Sequence, residues 1–137
     1  MALFGLEVEP AEGCRQALAA AHAIAVKLDA LNQLLKDDLP MPLRIGIGIH
    51  AGTAIVGEMG YRETSTITAV GDPVHVAARL QELTKHYKSQ LVVSDTVGEQ
   101  AGIDLSRFER HEIQVRGRQE PLSIRIIADA LALAAPA

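Results

Sequence analysis

Aromatic residues are nearly missing from this chain of 137 residues, which has two Phe, two Tyr and no Trp. Its core must therefore be built from aliphatic side chains and alanine. The scarcity also argues against a single-stranded nucleic-acid platform, which stacks bases on aromatic rings. Basic charge is short too, with a formal net charge of −4, whereas nonspecific binding of DNA or RNA needs a basic surface. The single cysteine, Cys14, can form neither an internal disulfide nor a multi-thiolate metal site. It lies in an apolar helical pattern and reads as a packing residue. Long apolar runs are lacking as well: "ALAAAHAIAV" and the tail "IRIIADALALAAPA" are interrupted well short of the roughly 20 residues that span a bilayer. "MALFGLEVEP" has neither the basic flank nor the long apolar region of a signal peptide. The expectation is a cytoplasmic chain with no membrane segment and no nucleic-acid partner.

What is present fits one globular domain over residues 1–137, with 48% hydrophobic and 22% charged residues. "MALFGL" is strand-like. Pro10 opens a helical pattern in which Ala17, Leu18, Ala21, Ile24, Ala25, Leu28, Leu31 and Leu35 recur at the spacing of one helix face. Pro40 and Pro42 stop it. "LRIGIGIHAGTAIVG" reads as a strand, and "ETSTITAVG" answers it as the second arm of a hairpin turning near Gly60. Asp72 and Pro73 look like a capping carboxylate and a first-turn proline, opening a helix that runs to about His86. "SQLVVSD" is a strand, Ser94 or Asp95 caps a short helix ending near Gly102, and "RFERHEIQV" and "LSIRIIA" form a last hairpin around "RGRQEP". Helices between mostly antiparallel strands predict an α+β sandwich of ferredoxin-like type, with helices on one face of the sheet.

Three features invite a chemical reading. Gly46 and Gly48 alternate with isoleucine inside a strand. Phosphate-loop glycines lie instead in a strand-to-helix turn, so these two predict close approach of a neighbouring backbone. His50 stands at the strand's end with no HExxH-type partner, and a structural role is expected. On the helix from Asp72, His75, Arg79 and Glu82 share one face while Val76, Leu80 and Leu83 share the core-facing stripe. By residue type, that polar face is either a solvated surface or a place where Arg79, forked and always charged, holds a phosphate.

Taken together, "RIGIGIHAGTAIVGEMG", "TAVGDPVHVAARLQEL" and "VRGRQEPLSIRIIA" closely resemble the catalytic domain of class III adenylate/guanylate cyclases. The matching positions are Arg44, His50, Gly52, Gly57, Gly60, Gly71, Val74, Ala77, Arg79 and Leu80, with Arg116, Gly117 and Pro121 in the late turn. The resemblance implies conversion of ATP or GTP to a 3′,5′-cyclic nucleotide and pyrophosphate in intracellular signalling. It implies Arg79 as the catalytic arginine on the phosphates and His75 near the ribose, where the family has asparagine. Thr68 falls where adenylate cyclases place an adenine-reading Asp or Thr, which leans towards ATP. Such sites form between two antiparallel protomers, so a homodimer or oligomer is expected.

The family's two metal-binding aspartates and its base-reading lysine would lie upstream of Met1, which looks like an internal methionine of a longer domain. The expected fold is thus the nucleotide cyclase fold lacking the first strand and first helices. Mg or Mn belongs to the intact domain, none is expected on this chain, and the chain alone is expected to be inactive. The alternative is a degenerate cyclase-like domain serving dimerisation or regulation. A third reading is an unrelated ferredoxin-like interaction module.

Overall fold

The computed structural model describes residues 1–60 and 66–133. Helix α1 spans Pro10–Leu34, and strand β1, Ile47–Ile49, follows the proline-bounded turn. Strands β2, Ile55–Met59, and β3, Thr66–Val70, form an antiparallel pair. Helix α2, Asp72–Tyr87, leads to strand β4, Leu91–Ser94, and helix α3, Asp95–Ala101. Strands β5, Glu109–Ile113, and β6, Leu122–Ile127, precede a 3-10 turn at Ala130–Ala132. The main sheet has the order β1-β4-β6-β5, with β1 parallel to β4 and the other pairs antiparallel. This is the expected α+β class with a mixed sheet. No helix among the described residues is long and apolar enough to cross a membrane.

The helices cover both faces of the sheet, rather than the single face expected. Alternation along β4 decides it, because successive side chains point to opposite sides. Leu91 and Val93 join Cys14, Leu18 and Ala21 of α1 and Val97 of α3 in one core. Val92, between them, joins Val76, Leu80 and Leu83 of α2 with Ile124 and Ile126 of β6 in the other. The α2 stripe read from the sequence is the stripe that is buried.

Three sequence expectations change. "MALFGL" is not a strand: Gly5 sits at φ +83°, a conformation that breaks an extended run. The segment folds back so that a Cβ on Gly13 of α1 would come 2.7 Å from the Gly5 Cα. "LRIGIGIHAGTAIVG" is not one strand either. It divides into β1 and β2, which belong to different sheets. On α1 the buried positions stop at Ala25, and Ile24 and Leu31 are exposed. The 25-residue helix is about 37 Å long at 1.5 Å per residue. It therefore outruns a sheet whose nearest strands have three or four residues. The expected β2–β3 hairpin is present, but Glu63, Thr64 and Ser65 of its second arm lie outside the described residues.

Gly46 and Gly48 account for the seat of α2. On β1 the isoleucines Ile47 and Ile49 face the α1 core, and the glycines face α2. A Cβ on Gly48 would overlap the Ala77 carbonyl oxygen and the Gln81 amide nitrogen, and one on Gly46 would overlap Thr84 Oγ1. Helix backbone lies directly on strand backbone.

Candidate functional site

Seating α2 by its Val76–Leu80–Leu83 stripe turns the opposite face outward. That face carries Asp72, His75, Arg79 and Glu82, spaced three and four residues apart. Arg79 is half exposed, and its Nη1 lies 3.4 Å from Glu82 Oε2. His75 is exposed one turn earlier. The helix therefore brings the two expected site residues onto one face. Arg79 also opens on a cleft of about 350 Å³ between α2 and the end of β5, bordered by Glu82, His86, Tyr87, Ile113 and Gln114.

Thr68 stands apart from that pair. It lies half-buried on β3, opposite Gly57 of β2, and a Cβ on Gly57 would meet nothing within 4 Å. Among the described residues no side-chain hydrogen bond joins Thr68 to His75 or Arg79.

Asp72 does not cap α2. Gly71 holds the N-cap position without a side-chain bond, and the Asp72 carboxylate instead accepts from Arg118 Nη1 at 3.0 Å. Arg118 comes from the turn between β5 and β6, 46 residues away. Local pattern cannot report such a partner; the only sequence signal was two arginines flanking Gly117 in a short turn.

His50 has the structural role expected of it. Its Nδ1 lies 2.7 Å from Ser94 Oγ, tying the end of β1 to the end of β4. Burial lowers its pKa below the ordinary histidine value, and the Arg118 charge acts in the same direction against the opposing pull of Asp72. Ser94 is fully buried and engaged with His50, so it does not cap α3 through its side chain. Asp95 next to it accepts hydrogen bonds from Ser123 Oγ and from Arg125 Nε, the latter at 2.7 Å. Burial opposes ionisation of Asp95. Its hydrogen bonds to Arg125 and Ser123 and the charges of Arg125 and Arg110 outweigh that and hold its pKa below the usual carboxylate value. Cys14 is buried with Sγ 3.8 Å from Gln100 Oε1, and burial pushes the thiol pKa up. That is the packing role its pattern predicted.

Among the described residues no group of three or more His, Cys, Asp or Glu side chains converges as a metal site would require. Two divalent ions need several carboxylate oxygens. The described residues do not supply a ligand set for such a pair.

Comparison with known proteins places these features in a family. A family model described as the adenylate and guanylate cyclase catalytic domain matches residues 1–127. The adenylate cyclase of Anabaena cylindrica is 34% identical over 116 residues, covering 79% of this chain and 23% of that protein. Adenylate cyclase 1 of Rhizobium meliloti (strain 1021) is 32% identical over 124 residues, covering 90% and 18%. The chain thus spans about a fifth of the length of these relatives. Among solved structures, that of the guanylyl cyclase Cya2 superposes with a TM-score of 0.74 at 26% identity, over 92% of this chain and 63% of that one. The adenylyl cyclase CyaB from P. aeruginosa shares the fold, with a TM-score of 0.71 at 21% identity over 92% and 65%. An unrelated ferredoxin-like module is thereby set aside.

Proposed function

Because the chain belongs to the adenylate and guanylate cyclase catalytic-domain family, we propose that it supplies the arginine half of a composite nucleotide site. The observation that carries this reading is the outward face of α2, which presents Arg79 and His75 together from a helix fixed backbone-to-backbone on β1. Arg79 takes the phosphates of a nucleoside triphosphate. When the ribose 3′-hydroxyl attacks the α-phosphate and pyrophosphate leaves, charge grows on the phosphoryl oxygens. A guanidinium already in place lowers that barrier without reorganisation. His75 donates a hydrogen bond to the ribose in the position of the family's asparagine. Thr68 reads the base, with ATP as the favoured substrate.

The chain pairs with a second copy in an antiparallel dimer. Ile55 and Val70 face each other across β2 and β3 and are 79% and 54% exposed. A two-stranded sheet is marginal alone in water, and an aliphatic patch of this kind suits association. This chain by itself holds no divalent ion and forms no cyclic nucleotide. Mg or Mn, the ion that the family implies, would offset the charge of the triphosphate. The cyclic nucleotide formed by the family's reaction would serve intracellular signalling.

Binding of ATP and of GTP, followed by calorimetry on the chain and on Arg79→Ala, tests the reading. Loss of a charge-assisted contact worth about 1.5–3 kcal/mol weakens ATP by roughly 10- to 100-fold. The melting temperature holds, because Arg79 lies outside both cores. Equal affinity in Arg79→Ala refutes the assignment, and Arg79-dependent cyclic product from the chain alone refutes its inactivity. A second reading, a domain kept for dimerisation or regulation, is favoured by His75 standing where the family has asparagine. Dimerisation without binding of either triphosphate would select it.

A further inference from the structure

Arg79 does not stand free on the outward face of α2. Its Nη1 donates to Glu82 Oε2 at 3.4 Å, three residues along the same helix, a spacing at which helical side chains meet. Among the described residues, the Arg79 guanidinium makes no other hydrogen bond and Glu82 accepts no other. The contact is made at a single point. A guanidinium carries several N–H donors in a planar fork, so the others remain available at the cleft that both residues border.

Charge gives this contact its weight. Two carboxylates flank Arg79 on the face, Asp72 and Glu82. Asp72 is offset from outside the helix, by Arg118 at 3.0 Å. Glu82 has Arg79 alone. The two pairs cancel, so within them the resting face keeps no surplus cation to draw in an anion. A ligand phosphate gains the Arg79 guanidinium only as Glu82 loses it.

Exposure decides how firmly Glu82 holds on. The Arg79 and Glu82 side chains are 51% and 66% exposed, whereas Arg125 and Asp95, paired at 2.7 Å, are 16% and 20% exposed. Water screens a pair as open as Arg79–Glu82, and both long side chains are free to leave it. The contact sets where the guanidinium rests, yet a charged ligand can break it.

We infer that Glu82 is a built-in competitor for Arg79, resting the guanidinium at the edge of the cleft and surrendering it to an incoming phosphate. Glu82 is thus a positioning residue that lowers the affinity of any ligand that takes Arg79, the triphosphate before the reaction and pyrophosphate after it. The inference rests on the reading of Arg79 as a phosphate ligand.

Two measurements on the full chain test it. The first is a double-mutant cycle on affinity, by NMR titration with ATP and with inorganic pyrophosphate. Glu82→Gln keeps the shape of the side chain and removes its charge. It should tighten both ligands by about 3-fold in the native chain and by less than about 1.5-fold in the Arg79→Ala background. A role confined to structure would leave affinity unchanged or weaken it, and either result overturns the inference. Equal gains in both backgrounds overturn it too, because Glu82 would then act on the ligand's charge directly. The second needs no ligand: rotation of the Arg79 guanidinium, resolved by side-chain NMR, should quicken about 2-fold in Glu82→Gln. An equal rate overturns the resting contact. A native chain that binds neither ATP nor pyrophosphate overturns the proposed function and the competition with it, while the rotation rate still decides whether Glu82 holds Arg79.

Discussion

Gly48→Ala should be the most damaging conservative substitution in the chain. The added Cβ lands on two backbone atoms of α2, the Ala77 carbonyl oxygen and the Gln81 amide nitrogen. No side chain can rotate aside, so the helix has to lift from β1. Lifting it opens the contacts of Val76 and Leu80, both at 0% exposure, and of Leu83 at 7%. Overpacking of this kind costs about 3 kcal/mol. Alanine recovers about 0.5–1 kcal/mol of the backbone entropy that glycine loses in a strand. A net loss of about 2 kcal/mol remains, and with a urea slope of about 2 kcal/mol/M it lowers the unfolding midpoint by about 1 M. Equilibrium urea unfolding followed by circular dichroism measures it. Gly57→Ala is the control, since its Cβ meets nothing within 4 Å, and it should match the native chain or exceed it slightly. If Gly48→Ala unfolds at the native midpoint, α2 is not seated backbone-to-backbone, and Arg79 does not stand on a fixed helix.

Two further substitutions probe the polar joints of the sheet. His50 is less readily protonated in the folded chain than in the unfolded one. Its contribution is therefore complete above the unfolded value of 6.5 and is lost as the pH falls through and below it. Urea midpoints between pH 8 and pH 5 should drop on the acid side, and His50→Gln should flatten that drop; an identical slope in the variant would assign it to the other histidines. Asp95→Ala leaves Arg125, 16% exposed, without its carboxylate, and should cost about 3 kcal/mol in the same unfolding assay. A cost below about 0.5 kcal/mol, the size of an ordinary surface change, would mean that solvent already satisfies Arg125.

The residues whose roles are set locally were the legible ones. Val76, Leu80 and Leu83 announced the buried stripe of α2 by spacing, and thereby the outward face with His75 and Arg79. Gly46 and Gly48 announced a close approach because glycine alternating with isoleucine leaves one side of a strand bare. What approached them was not legible, since α2 lies about thirty residues further along the chain. The division of "LRIGIGIHAGTAIVG" was hidden for a related reason: both halves are β-branched, and membership of a sheet depends on partners. Asp72 looked like a cap because capping is decided within three residues, whereas Arg118 is 46 residues distant. The outer half of α1 kept its apolar period past the end of the surface that could bury it. Helices on both faces became visible only when Val92 and Val93 were seen to point into separate cores.

Strand β4 has no weather side. Leu91, Val92, Val93 and Ser94 are each fully enclosed, two looking into one core, one into the other, and Ser94 bound to His50. On β5, by contrast, Glu109, Arg110 and Glu112 are open to solvent. Over evolutionary time the two strands should drift at different speeds. Half of β5 can change at little expense, while β4 admits only near-isosteric replacement at four successive positions. The most constrained stretch of the molecule would then be one that touches no ligand, holding apart the two layers whose relative height sets where Arg79 stands.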